Sequence, residues 1–195
     1  MCWAALDSIV KLAERGLVRL EASRFRAERD PVAEAIETRG FNEALGSYVS
    51  EFEGDRVDAA LLLMGCLGYK DPRETRMRGT FDLIHRRLGH NGLLYRYEQG
   101  YDRLPPGEGA FGICSFWAVD NLAKRGDLAR AEEAFAHLLS FANDVGLFAE
   151  EIDPETGGAL GNFPQAFTHV GLINAALAIA AGRTPGAAPW RRGAA

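Results

Sequence analysis

Cysteine is scarce in this chain: Cys2, Cys66 and Cys114 are the only three in 195 residues. Their odd number, wide spacing and apolar neighbours speak against a disulfide framework and a zinc site, and predict reduced core residues in a cytoplasmic protein. The four histidines, His85, His90, His137 and His169, show no metal-ligand spacing with one another or with the cysteines. His169, inside an apolar stretch, is expected to be a buried histidine with a hydrogen-bonded partner. No Lys/Arg-rich run exists, and the net charge is -5 with a pI near 5.4. That balance argues against binding nucleic acid or an anionic membrane surface through bulk charge, and favours a neutral ligand. No unbroken apolar run reaches the ~18 residues that mark a membrane span, and "MCWAALDSIVKLAERG" lacks the basic start and long apolar stretch of a signal peptide.

Strand-helix alternation is absent too, which removes the βαβ folds. "GEGAFG" at 107–112 spells G-x-G-x-x-G, but Pro105 and Pro106 precede it where a dinucleotide fingerprint needs a strand. Neither a G-x-S-x-G elbow nor a Cys-His nucleophile pair is present.

What the chain does have is helical pattern of two kinds. Apolar residues make up 47% and charged residues 25%, the balance of one globular domain with a real core. Segments 2–14, 57–67, 110–119 and 166–181 are apolar around most of their circumference and should be enclosed by protein. Between them lie one-sided segments: 73–88, with Met77, Phe81, Ile84 and Leu88; the stretch around 128–142, with Leu128, Ala131, Phe135, Leu138, Leu139 and Ala142; and, less marked, Pro31 to Thr38. An inner, outer, inner, outer order is what a two-layer helical toroid produces, so the expected class is all-α.

The links are unequal in a regular way. Inner-to-outer links such as 68–72 and 124–127 are tight, whereas 41–54, 89–108 and 145–162 are long. "HNGLLYRY" (90–97) and "DVGLFAEE" (144–151) form an internal repeat whose glycines, Gly92 and Gly146, lie 54 residues apart. Helices that alternate in direction send all three long links to one end, where a site is expected. Those links carry Tyr48, Glu51 and Asp55; Tyr95, Arg96, Tyr97, Tyr101 and Glu108; and Glu150, Glu151, Asp153, Asn162 and Gln165. Aromatic planes beside carboxylates, amides and a guanidinium suit a sugar, which offers C–H faces to stack and hydroxyls to bond. Phe116 and Trp117 read as core; Phe111, at the start of its helix, falls close to the loops.

"GEGAFGICSFWAVDNLAKRGDLARAEEAF", "NDVGLFAEEIDPETGGALGNFPQAFTHVGLINAA", "GLLYRY" and "DAALLL" resemble the C-terminal half of bacterial family-15 glycoside hydrolases, the glucoamylase, glucodextranase and trehalase-like group. The resemblance runs from about Met1 to Gly182, and "EEIDP" followed by "LGNFPQAFTH" is its most specific part. It implies the C-terminal portion of an (α/α)6 barrel, about seven helices, that hydrolyses α-linked glucosides with inversion and without metal or organic cofactor. The family's general base matches Glu150 and its glucose-binding arginine matches Arg96. Tyr97 and Glu108 fall where the family lines the sugar pocket. Glu151 cannot be the partner acid of Glu150, because neighbours in an extended segment point to opposite sides; an orienting or binding role is expected.

The family's general acid follows a tryptophan, and none of Trp3, Trp117 and Trp190 is followed by glutamate. The expectation is therefore a partial catalytic domain over 1–182, carrying the base and lacking the acid, then a flexible tail over 183–195. The alternative reading is a non-catalytic helical module whose loops bind sugar or protein.

Overall fold

A computed structural model describes residues 1–98 and 107–184. It contains seven α-helices: α1 (Cys2–Glu14), α2 (Ala22–Arg39), α3 (Leu63–Cys66), α4 (Thr75–Leu88), α5 (Gly112–Lys124), α6 (Leu128–Leu139) and α7 (Ala166–Arg183). Strands are two-residue pieces in the links. β1 (Phe41–Asn42) pairs with β2 (Ser47–Tyr48), and β3 (Gly89–His90) with β4 (Leu93–Leu94). β5 (Ala110–Phe111), β6 (Glu151–Ile152) and β7 (Ala159–Leu160) make one antiparallel sheet. The class is all-α. Tyr101, Pro105, Pro106, Trp190 and the tail from 185 onward lie outside the described residues.

α5 lies at the centre of the packing. Cys114, Phe116, Ala118, Val119 and Leu122 of α5 are all buried, and α3, α6 and α7 pack around it. Amphipathic α4 turns Met77, Phe81, Ile84 and Leu88 inward and leaves Arg78, Asp82 and Arg86 in solvent. The α5–α7 contact is close because position 171 is glycine: a Cβ there would sit 3.0 Å from the Phe116 Cβ. Burying such contacts contributes roughly 25 cal/mol per Å² of apolar surface.

Four expectations need correcting. Residues 57–67 do not form one helix: Ala59–Leu62 is a 3-10 turn that continues into the short α3. Asn121, buried on α5, donates from Nδ2 to the Leu62 carbonyl at the junction of the two pieces. The first outer helix, α2, begins at Ala22, well before Pro31, so that proline lies inside the helix instead of starting it. Leu139 is 44% exposed, since the inward stripe runs through Leu138 and position 139 is a further ~100° around the helix. Cys2 is exposed, while Cys114 is buried and the Cys66 side chain is enclosed; burial pushes both of those thiols up, away from the reactive thiolate.

The outermost inner helices are covered on one side only. α1 buries Asp7 and Val10 and is otherwise open or half-open; Asp7 takes ion pairs from Lys11 (2.6 Å) and Arg29 (2.9 Å). α7 turns Thr168, Gly171, Ala175 and Ile179 inward, but Phe167, Val170, Ile173 and Leu177 are 46–67% exposed. Their spacing of three, three and four residues aligns them on one face. By length and composition alone α7 could cross a membrane, at 18 residues and mean hydropathy 1.2, which a search for unbroken apolar runs does not register; here it lies along α5 and α6. An uncovered apolar stripe drives association. We expect the polypeptide of residues 1–195 to self-associate with rising concentration in light scattering, and Ile173→Glu to reduce it. A monomer across the whole concentration range would contradict this.

Candidate active site at the loop end of the helices

Two of the long links are built to one plan. Gly92 and Gly146 both have φ of +79°, the left-handed conformation that a turn at these points requires. Arg96 follows Gly92 by four residues, and Glu150 follows Gly146 by four. Each then accepts a backbone hydrogen bond from the start of the preceding inner helix: Ala59 N to Arg96 O, 2.8 Å, and Gly112 N to Glu150 O, 3.0 Å. The next residues pair in register, Tyr97 with Asp58 and Glu151 with Phe111. Arg96 and Glu150 are thus equivalent positions in two successive long links, each bonded to the start of the preceding inner helix.

The Glu150 loop is pegged on two sides. Glu150 N donates to Asn162 O (2.9 Å) and Thr168 Oγ1 donates to Ala149 O (3.0 Å). Phe148 N donates to His169 Nε2 (3.4 Å), while His169 Nδ1 faces the Gln165 carbonyl at 2.8 Å. A backbone donor on Nε2 and an acceptor on Nδ1 require the neutral ring with its proton on Nδ1. Half-buried His169 is therefore a peg between α7 and this loop.

The Glu150 carboxylate accepts from Asn162 twice, from the backbone N (3.1 Å) and from Nδ2 (2.7 Å), and both bonds fall on Oε2. Glu151 faces the other way along β6, where Oε2 accepts from Gly109 N at 2.8 Å, next to Glu108. Burial, offset in part by that hydrogen bond, holds the Glu151 carboxyl above its ordinary value, and the charges of Glu108 and Glu150 add to the effect. Glu108, Phe111, Glu150 and Glu151 accordingly share one small region. A carboxyl that is raised on folding stabilises fully at low pH and loses that contribution as pH climbs from its ordinary 4.5 through the folded value. The stability of the chain relative to Glu151→Gln should therefore fall as the pH rises above the ordinary 4.5 in denaturant titrations. A flat difference would show that Glu151 is not perturbed.

Arg96 lies across the same helix. Its Nε donates to Asp58 Oδ1 at 2.7 Å, and its guanidinium carbon sits 5.9 Å from the centre of the Trp117 ring. Trp117 and Gly112 are five residues apart on α5, about 7.5 Å along the axis. α5 therefore carries the Arg96 contact and the Glu150 contact one and a half turns from each other. Burial is the largest single influence and opposes the Arg96 charge, but the Asp58 hydrogen bond and the Asp58 charge, with smaller neighbouring contributions, together outweigh it and the guanidinium is held charged.

Other loop residues serve the fold. Tyr48 is 1% exposed and its hydroxyl donates to Glu37, which also receives Tyr69 and Arg76; it is no open sugar platform. Asp153 closes its own turn through Thr156 and Glu155 N, and Gln165 caps α7 through Phe167 N. Tyr95 packs half-buried against the core. Reading the sequence missed Asp58; Trp117, read as core, does pack against the core but is half-buried. A cavity of about 470 Å³, lined by Arg78, Asp82, Arg125, Gly126, Asp127 and Arg130, lies at the other end of α5, away from these loops. Among the described residues no group of His, Cys, Asp or Glu is arranged to hold a metal ion.

Comparison with known proteins gives a family and a fold. The family model for glycosyl hydrolases family 15 matches residues 1–133 and 126–177. A trehalase of Mycobacterium tuberculosis is 41% identical over 179 residues, 91% of this chain and 26% of the relative. A trehalase of Thermoplasma acidophilum is 34% identical over 176 residues, 90% of this chain and 30% of the relative. The chain thus spans less than a third of the length of these relatives. A solved glycosidase superposes with a TM-score of 0.70 at 17% identity, over 82% of this chain and 45% of that one, and a variant of it in complex with glucose does so equally well. That likeness shows the fold, a portion of a helical barrel. With the family model covering nearly the whole described chain, the protein belongs to glycosyl hydrolases family 15.

Proposed function

We propose that this chain supplies the base side of an inverting α-glucosidase, with Glu150 as general base, Arg96, Tyr97, Glu108, Phe111 and Glu151 around the sugar, and trehalose as the favoured substrate. The observation that carries the reading is the Glu150 carboxylate, fixed through Oε2 by Asn162 beside Glu108 and Phe111. Inversion needs a carboxylate to activate water on one face of the sugar and a carboxylic acid to protonate the leaving oxygen on the other, roughly 6.5–9.5 Å apart. Glu151 points away along β6 and is tied to Gly109, so it does not supply that acid; a Trp-Glu loop of the kind the family carries would. Trehalose is favoured because the 41% identical relative is a trehalase. Maltooligosaccharides and isomaltose-type linkages are the competing substrates.

The test joins residues 1–195 to a segment bearing the Trp-Glu acid loop and follows trehalose by proton NMR. Expected are hydrolysis and equal initial amounts of β-glucose from the attacked ring and α-glucose from the leaving ring, where retention would give α-glucose alone, with no hydrolysis by residues 1–195 alone. Equal rates with and without the added segment, or faster cleavage of maltose than trehalose, would sink the assignment.

A further inference from the structure

We infer that Asp58 is a positioning residue for sugar binding: it fixes the Arg96 guanidinium by its Nε, so that the terminal amino groups are presented to a pair of neighbouring hydroxyls. The inference rests on the sugar-site reading above and adds a residue to it. Three contacts tie the two segments. The Asp58 carboxylate accepts from Arg96 Nε (2.7 Å), Ala59 N donates to Arg96 O (2.8 Å), and Asp58 pairs with Tyr97 in an antiparallel bridge. The same Oδ1 also accepts from Ala60 N at 2.6 Å, which caps the 3-10 turn and fixes the carboxylate's own direction. Asp58 is therefore held before it holds anything else.

The geometry suits a ligand better than a plain surface ion pair. Asp58 and Arg96 side chains retain 24% and 37% of their exposure, so the pair is half-withdrawn from water yet still reachable. The guanidinium carbon lies 5.9 Å from the centre of the half-buried Trp117 ring. A guanidinium is a rigid planar fork with five donors. Fixing it through Nε removes rotation about the long side chain, and that ordering entropy is then settled on folding, before the sugar arrives. Two hydroxyls on adjacent ring carbons match the spacing of the fork's other edge. An unheld arginine would have to be ordered by the sugar itself, and affinity would fall.

The two roles of Asp58, cap and clamp, separate by substitution. Asp58→Ser keeps an acceptor for Ala60 N but is too short to reach Arg96, whereas Asp58→Ala removes both. In the 195-residue chain, the Nε–H signal of Arg96 in nitrogen-15 NMR, assigned by its loss in Arg96→Lys, should exchange slowly with water in the native protein. In Asp58→Ser it should exchange fast, with a melting temperature close to native. Titration with D-glucose should show a dissociation constant about tenfold larger for Asp58→Ser, the scale of one hydrogen bond to a charged group. An Nε–H signal unchanged in Asp58→Ser overturns the clamp. Native glucose affinity in Asp58→Ser, with weakened affinity only in Asp58→Ala, reduces Asp58 to a cap and overturns its role at the sugar. No glucose binding by the native chain overturns the sugar half together with the site reading, while the Nε–H signal still decides the clamp.

Discussion

Glu150→Gln, in a chain joined to the Trp-Glu acid loop, should lower kcat on trehalose by about 10²- to 10⁴-fold, the usual contribution of a general base. The expected loss follows from how the side chain is held. Asn162 N and Nδ2 both donate to Oε2, which leaves Oε1 as the oxygen that takes the proton of the attacking water. Glutamine can turn its carbonyl oxygen to the same two donors and keep the shape of the site. Its amide nitrogen then faces the water, and an amide nitrogen donates hydrogen bonds without accepting a proton. Binding is preserved and chemistry is not, so KM should change little while kcat falls. Glu151→Gln should cost much less, because the Glu151 carboxylate accepts from Gly109 N and an amide oxygen can do the same. Steady-state kinetics of the two variants decide the matter: near-native kcat in Glu150→Gln, or a larger loss in Glu151→Gln, would move the base elsewhere.

Much of this arrangement is legible in the sequence because it depends on local pattern. The stripe of Met77, Phe81, Ile84 and Leu88 reports an outer helix, and all four are buried. The Gly92 and Gly146 repeat marks two loops that place Arg96 and Glu150 alike; counting four residues on from each glycine would have paired them without coordinates. What is hidden depends on partners distant in sequence. Tyr48 has the composition of a sugar platform, but Glu37 on α2 draws its hydroxyl inward. Trp117 lies in a helix that is apolar all round, where periodicity cannot say which side is open. Asp58 did leave a signal, an N-cap residue type directly before the apolar "AALLL", but its bond to Arg96 spans 38 residues.

Gly161→Ala should disable the same carboxylate from behind. Gly161 has φ of +70°, and a Cβ built there would lie 3.0 Å from Glu150 Oε2 and 3.1 Å from Glu150 Cβ. Two costs follow. A left-handed conformation for an L-residue costs roughly 1–2 kcal/mol, which lowers Tm by a few degrees in a protein of this size. Relieving the contact also shifts the carboxylate by a few tenths of an ångström relative to Asn162, and since a 1 Å misplacement of a catalytic group costs up to ~10²-fold in rate, that figure bounds the loss from above. Gly157→Ala separates the two effects. Its φ is +73°, but its Cβ would meet only the edge of Phe141 at 3.4 Å, an ordinary contact. In the joined enzyme we expect Gly157→Ala to lower Tm by a similar amount with kcat retained, and Gly161→Ala to lower kcat on trehalose as well, by up to ~10²-fold. If both variants keep native kcat, the Oε2 side of Glu150 tolerates displacement and its fixation by Asn162 is not what makes it a base; if both lose kcat equally, the effect is strain in the loop and says nothing particular of Glu150.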